Sequence, residues 1–100
     1  MKKAKRVFKR VGQFFAYIVR CKDGSFYTGS TNNLKNRLKL HNNGNGSKYV
    51  RSKRPVKLIY AKQFKYYKLA LNLERKIKTF TRKEKEKLIK QMKKTKIKFQ

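Results

Sequence analysis

One hundred residues with 31 Lys and Arg against 4 Asp and Glu, a formal charge of +27, make one domain with room for a single modest core. Such a charge repels itself in a compact chain unless a polyanion neutralises it, which makes nucleic acid the leading partner. An anionic membrane surface is the weaker alternative, because the basic residues run along the whole chain and not down one face of an amphipathic helix.

Residues 1 to 12 read as a basic arm, 13 to 92 as the folded domain and 93 to 100 as a basic tail. The opening "MKKAKRVFKRVGQFFAYIV" has the outline of a signal peptide, yet its apolar run is short and "RCKDG" stands where small residues would be cleaved. No stretch approaches the roughly 20 apolar residues of a membrane span. The runs "FFAYIVR" and "FYTG", joined by "CKDGS", predict a hairpin from about Phe14 to Gly29, with Asp23 and Gly24 as a tight turn. Both faces of the first strand are apolar, Phe15, Tyr17 and Val19 on one and Phe14, Ala16 and Ile18 on the other, so it belongs in the middle of a sheet. Cys21 is the single cysteine, which leaves no intrachain disulfide and fits a reducing, cytoplasmic setting with the thiol as a small buried hydrophobe.

"STNN" offers capping residues for a helix from about Asn33 to Asn42, and "NNGNG" ends it. "VKLIYAKQF" after Pro55 is a third strand. "YYKLALNLERKIKTF" is a helix with Tyr66, Ala70, Leu73, Ile77 and Phe80 in its stripe. A last helix runs from Arg82 to about Lys93. It opens on Thr81 and Glu84 at the spacing of a capping box, with Glu86 near the positive end of the helix dipole.

Three sets of polar residues fall in apolar surroundings. On the first helix, Leu34 and Leu38 define the buried stripe, and Arg37 and His41 fall within the same arc. A core histidine with its hydrogen bonds satisfied explains His41 taken alone, but an inward Arg needs an anion, either Glu74 or a phosphate. Glu74 is the one acid without a local explanation, at the border of its helix's stripe. It either forms an exposed pair with Lys78, worth about 0.3 to 0.5 kcal/mol, or supplies the single carboxylate that Mg²⁺ accepts beside a phosphate. Tyr17, Tyr27 and Tyr49 read as packing residues or, near Arg and Lys, as hydroxyls of lowered pKa from which a general base is drawn. Lys48, Arg51, Lys53 and Arg54 surround Tyr49 in the densest basic loop, suited to backbone phosphates with an aromatic for stacking.

With "FAY", "YTG", "STNNLKNRLKLHNNG", "KYVRSKRPVKLIY" and the Glu-bearing helix in this order, the chain from about Phe14 to Ile89 resembles the GIY-YIG nuclease domain, in particular its short stand-alone members. The resemblance implies an α/β (α+β) fold, a small three-stranded antiparallel sheet flanked by helices. It also implies a divalent-metal-dependent endonuclease, using Mg²⁺ or Mn²⁺ on nucleic acid, with DNA favoured over RNA. In that likeness Tyr17 is the general base for water, Tyr27 and His41 are its hydrogen-bonding supports, and Arg37 clamps the scissile phosphate. Tyr49 is an accessory contact and Glu74 the metal ligand. Phe15 and Ala16 depart from the first triplet and Thr28 from the second, none at a chemical position. The rivals are a non-catalytic nucleic-acid or ribosome-associated binder, and a basic protein that condenses polyanions and gives no role to Glu74 or His41. A protein partner that supplies specificity is left open.

Overall fold

Alternating aromatic and β-branched residues build β1 (Val11–Arg20) and β2 (Phe26–Thr31), and the computed structural model describes residues 11–95. Of the expected arm over residues 1 to 12 and tail over residues 93 to 100, residues 1 to 10 and 96 to 100 lie outside the described residues, whereas 11 and 12 belong to a strand and 93 to 95 to a helix. β3 (Lys57–Tyr66) completes an antiparallel sheet of order β2-β1-β3, so the strand with two apolar faces is the central one. α1 (Leu34–Asn42) and the one-turn α2 (Lys48–Arg51) fall between β2 and β3. α3 (Tyr67–Lys78) and α4 (Arg82–Thr95) follow.

Side-chain alternation sorts the core into two layers. Tyr17, Val19, Cys21 and Ala61 pack with Val50 of α2 and with Leu34 and Leu38 of α1. Ile18 and Tyr60 pack on the other side with Leu73 and Ile77 of α3 and Ile89 of α4. A bulge pairs Ile18 with Tyr60 but Val19 with Leu58. The extra residue in β3 keeps Leu58 and Tyr60 each facing its own layer.

Local chemistry sets the boundaries. The Asn33 side chain accepts from the Asn36 N–H at 3.0 Å and starts α1. Thr81 and Glu84 form the expected capping box, Glu84 accepting from the Thr81 N–H at 2.8 Å and Thr81 from the Glu84 N–H at 3.2 Å. One expectation is met and one is corrected. The hairpin connection spans residues 21 to 25 and closes with the Cys21 N–H donating to the Ser25 carbonyl at 2.8 Å. Within it Gly24 donates its N–H to the Cys21 carbonyl at 2.9 Å and takes the left-handed backbone, φ 89°, and Asp23 braces the turn by accepting from both the Ser25 N–H and its hydroxyl, at 3.0 and 2.6 Å. The helix expected from Tyr66 to Phe80 is α3 alone, because Tyr66 still belongs to β3 and Phe80 lies past the Thr79 cap.

Candidate active site

Tyr17 enters the site from the centre of the sheet, where its cross-strand neighbours are Gly29 and Ala61. The missing side chain on Gly29 leaves the ring a bed: a Cβ there would stand 2.6 Å from the Tyr17 oxygen and 2.8 Å from its ring. A glycine inside a strand marks such a close approach. The ring is buried, and its hydroxyl meets the His41 Nε2 at 2.9 Å.

His41 is buried in the last turn of α1, on the same face as Leu34 and Leu38. A Cβ on Gly46 would collide with its Nδ1, with Cε1 2.9 Å away. That Nδ1 is buried with no hydrogen-bond partner among the described residues. Burial, and then the charge of Arg37, push the imidazole below the ordinary histidine range, so it is neutral at pH 7.

The Tyr17 hydroxyl departs from the sequence expectation. Its pKa lies well above the ordinary tyrosine value, because desolvation disfavours the phenolate and Tyr27 and Glu74 act in the same direction. Arg37 acts on the hydroxyl the opposite way but does not outweigh burial. A cation close in sequence pattern could not reveal how little water the ring would touch.

Arg37 is partly exposed on α1 and makes no ion pair among the described residues. Its expected anion is therefore not Glu74. Glu74, on α3 across the sheet, pairs through Oε2 with Lys78 at 2.8 Å, as its helical spacing allows, yet the pair is not an exposed one. The Glu74 side chain is 14% exposed against 52% for Lys78, and its charge reaches the Tyr17 hydroxyl. Five residues from four elements thus converge: Tyr17, Tyr27, Arg37, His41 and Glu74.

Tyr27 packs edge-on against His41 with centroids 5.4 Å apart and stacks on Tyr49 at 5.9 Å and 23°. Tyr49 is 46% exposed and carries the Lys53 ammonium 4.9 Å from its ring centre, an aromatic platform continuous with the buried histidine. The basic loop is more tied down than its sequence suggested. Lys53 donates to Asp23 at 2.9 Å, Arg51 to the Gly44 carbonyl at 3.1 Å, and Arg54 to the Arg51 carbonyl at 2.7 Å. Lys48 has no such contact among the described residues. The arginines keep their full charge while bonding neutral carbonyls, whereas the Lys53 charge is matched by Asp23.

Sequence reasoning missed three residues. Gly29 and Gly46 make room for the two rings, and Asn42 clamps the start of β3 by accepting from the Val56 N–H at 2.8 Å. A glycine inside a strand pattern was the available signal for Gly29; Gly46 and Asn42 carried none beyond loop composition.

Among the described residues no cluster of three or more His, Cys, Asp and Glu could hold a metal, which does not fit a closed zinc-type site. A lone, partly shielded carboxylate does fit Mg²⁺ or Mn²⁺, ions that keep most of their waters and share oxygens of a bound phosphate. No described helix is long and apolar enough to cross a membrane.

Comparison with known proteins identifies the family and the fold. The family model described as the GIY-YIG catalytic domain matches residues 13–97. A UPF0213 protein of Staphylococcus saprophyticus is 49% identical over 75 residues, 75% of this chain and 92% of the relative. One of Clostridium perfringens is 51% identical over 75 residues, 75% of this chain and 81% of the relative. The solution NMR structure of a UPF0213 protein from Bacillus halodurans superposes with a TM-score of 0.52 at 37% identity, covering 78% of this chain and 83% of the other. A protein from E. faecalis does so with a TM-score of 0.56 at 38% identity, covering 80% and 85%.

Proposed function

From the premise that the chain belongs to the GIY-YIG catalytic domain family, we propose that it is a divalent-metal-dependent endonuclease that hydrolyses phosphodiester bonds, in DNA rather than RNA. The observation that carries this reading is the buried 2.9 Å contact between the Tyr17 hydroxyl and the His41 Nε2, with the charges of Arg37 and Glu74 acting on that same hydroxyl.

Phosphodiester hydrolysis needs a proton taken from water and cations where negative charge grows. Burial keeps Tyr17 a phenol at rest, so the base is a relay: its oxygen takes the water proton while its own proton passes to the His41 Nε2. The resting imidazole then carries its proton on Nδ1. Burial, and then the charge of Arg37, disfavour histidinium, so Nε2 returns its proton to the Tyr17 oxygen, which releases the proton it took to solvent water, and the relay resets. Arg37, which pairs with no carboxylate among the described residues, clamps the scissile phosphate. Tyr27 holds the imidazole edge-on, and the half-exposed Tyr49 ring contacts the nucleic acid, flanked by Lys48, Arg51, Lys53 and Arg54 for phosphates. Glu74 would hold Mg²⁺ or Mn²⁺, which when bound supplies Lewis acidity at the phosphate. The lone, buried Cys21 thiol fits action in a reducing cytoplasm.

The test is incubation with branched, single-stranded and duplex substrates of DNA and RNA in Mg²⁺, in Mn²⁺ and in chelator. Metal-dependent nicking that vanishes in chelator is expected. Tight binding with no cleavage of any substrate would replace this reading with that of a non-catalytic nucleic-acid binder.

A further inference from the structure

The Glu74 carboxylate already has a cation on it. Lys78 Nζ lies 2.8 Å from Glu74 Oε2, occupying one of the oxygens that a divalent ion would use. The partners differ in freedom. Glu74 is 14% exposed and is carried by a helix pinned through Leu73 and the fully buried Ile77. Lys78 is 52% exposed, a compact charge on a flexible stem with water on its outer side. Whatever displaces the pair, the ammonium is the part that moves.

We infer that Lys78 is a placeholder cation: it neutralises Glu74 in the metal-free protein, and when a divalent ion takes the carboxylate it swings onto a phosphate oxygen of the bound nucleic acid. This rests on Glu74 being the metal ligand. Three considerations lead there. A divalent ion and an ammonium repel each other on one carboxylate, so binding of the ion expels Lys78. The departing ammonium is tethered one helical turn from the site, where the arriving phosphate is the nearest unpaired anion. In the absence of metal, the pairing hides the Glu74 carboxylate from a polyanion it would otherwise repel, so nucleic acid is admitted before the metal arrives.

Lys78→Met keeps the apolar stem and removes the charge, and at an exposed position it leaves the fold in place, as a thermal melt will confirm. Two measurements that do not depend on turnover test the inference on wild type, Lys78→Met and Glu74→Gln. The first is a Mg²⁺ titration of the protein alone, followed through the amide ¹H–¹⁵N shifts of α3. Removing the competing ammonium is expected to tighten Mg²⁺ by about three- to tenfold, and Glu74→Gln to abolish the response. The second is the slope of log K against log salt for a short DNA duplex, in chelator and in non-cleaving Ca²⁺. In chelator wild type and Lys78→Met should have equal slopes, and in Ca²⁺ the wild-type slope should be steeper by about 0.9, one added phosphate contact.

If Glu74→Gln removes Mg²⁺ binding but Lys78→Met binds no tighter than wild type, Glu74 remains the ligand and the placeholder role is overturned. Equal slope differences in chelator and Ca²⁺ overturn the swing to phosphate. No shift on α3 in any of the three proteins, or an unchanged response in Glu74→Gln, overturns the metal-ligand reading and this inference with it.

Discussion

The Tyr17 hydroxyl and the His41 Nε2 stand 2.9 Å apart, joined across the interface of β1 and α1 by residues 24 positions apart in the chain. Each ring rests against a glycine that a methyl group would displace, so the hydrogen bond is fixed by backbone packing and not by the side chains alone. Tyr17→Phe keeps that packing and deletes the hydroxyl. It should abolish nicking, retain nucleic-acid binding, and lower stability by about 1 to 3 kcal/mol because the buried imidazole nitrogen loses its partner. Chemical denaturation alongside a nicking assay checks both; full activity would move the proton relay away from Tyr17.

The depressed pKa of His41 gives a pH dependence with a definite sign. Below about 6.5 the unfolded chain takes up a proton on this residue that the folded chain refuses, so stability should fall as pH drops and level off below the folded pKa. Melting temperatures from about pH 8 to about pH 5 should show this decline in wild type and less of it in His41→Gln. The nicking rate should rise with pH through an apparent pKa below the ordinary histidine value, since histidine and not the phenol limits the relay.

The two glycines can be tested by adding one methyl group. At Gly29 a Cβ meets the Tyr17 oxygen and ring, and at Gly46 it meets the His41 imidazole and its Cα at 3.0 Å. Gly29→Ala and Gly46→Ala should each cost about 1 to 3 kcal/mol and lose more activity than that loss of stability explains, because the hydroxyl and imidazole are pushed out of register. Denaturation midpoints and single-turnover rates on the folded variants separate the two effects. Activity that follows the folded fraction alone would show that the spacing of the rings is not critical.

Glu74→Gln preserves the size of the side chain and removes its charge. Nicking in Mg²⁺ should vanish, while binding in chelator holds or strengthens as negative charge leaves the phosphate site. Losing only the pair with Lys78 would cost about 0.3 to 0.5 kcal/mol in stability and leave turnover intact. Rate and melting temperature measured on the same preparation decide between them.

In the basic loop, charge and availability separate. Lys48 has no partner among the described residues, whereas Lys53 is matched by Asp23. Lys48→Gln should therefore flatten the salt dependence of duplex binding by up to about 0.9 in slope, and Lys53→Gln by less, because its ammonium releases Asp23 before it can meet a phosphate. Equal slopes for Lys48→Gln and wild type would place the binding surface elsewhere.

The features of this protein that depend on local pattern are legible along the chain. Two apolar faces put β1 at the centre of the sheet. Asn33 capped α1, Thr81 and Glu84 capped α4, and the turn-by-turn spacing of α1 put His41 on the buried stripe with Leu34 and Leu38. These follow from periodicities of two and 3.6 residues and from hydrogen bonds that span a few positions. What depends on how the elements are stacked is visible only in the folded molecule. Whether Arg37 would meet Glu74, whether the Tyr17 hydroxyl would ionise readily, and which glycines mattered were all settled by layering. α1 and α3 lie on opposite faces of the sheet, so Arg37 and Glu74 act on one hydroxyl without pairing to each other. Exclusion of water around Tyr17 outweighs the cation beside it, and desolvation belongs to the packed whole and to no segment of the chain.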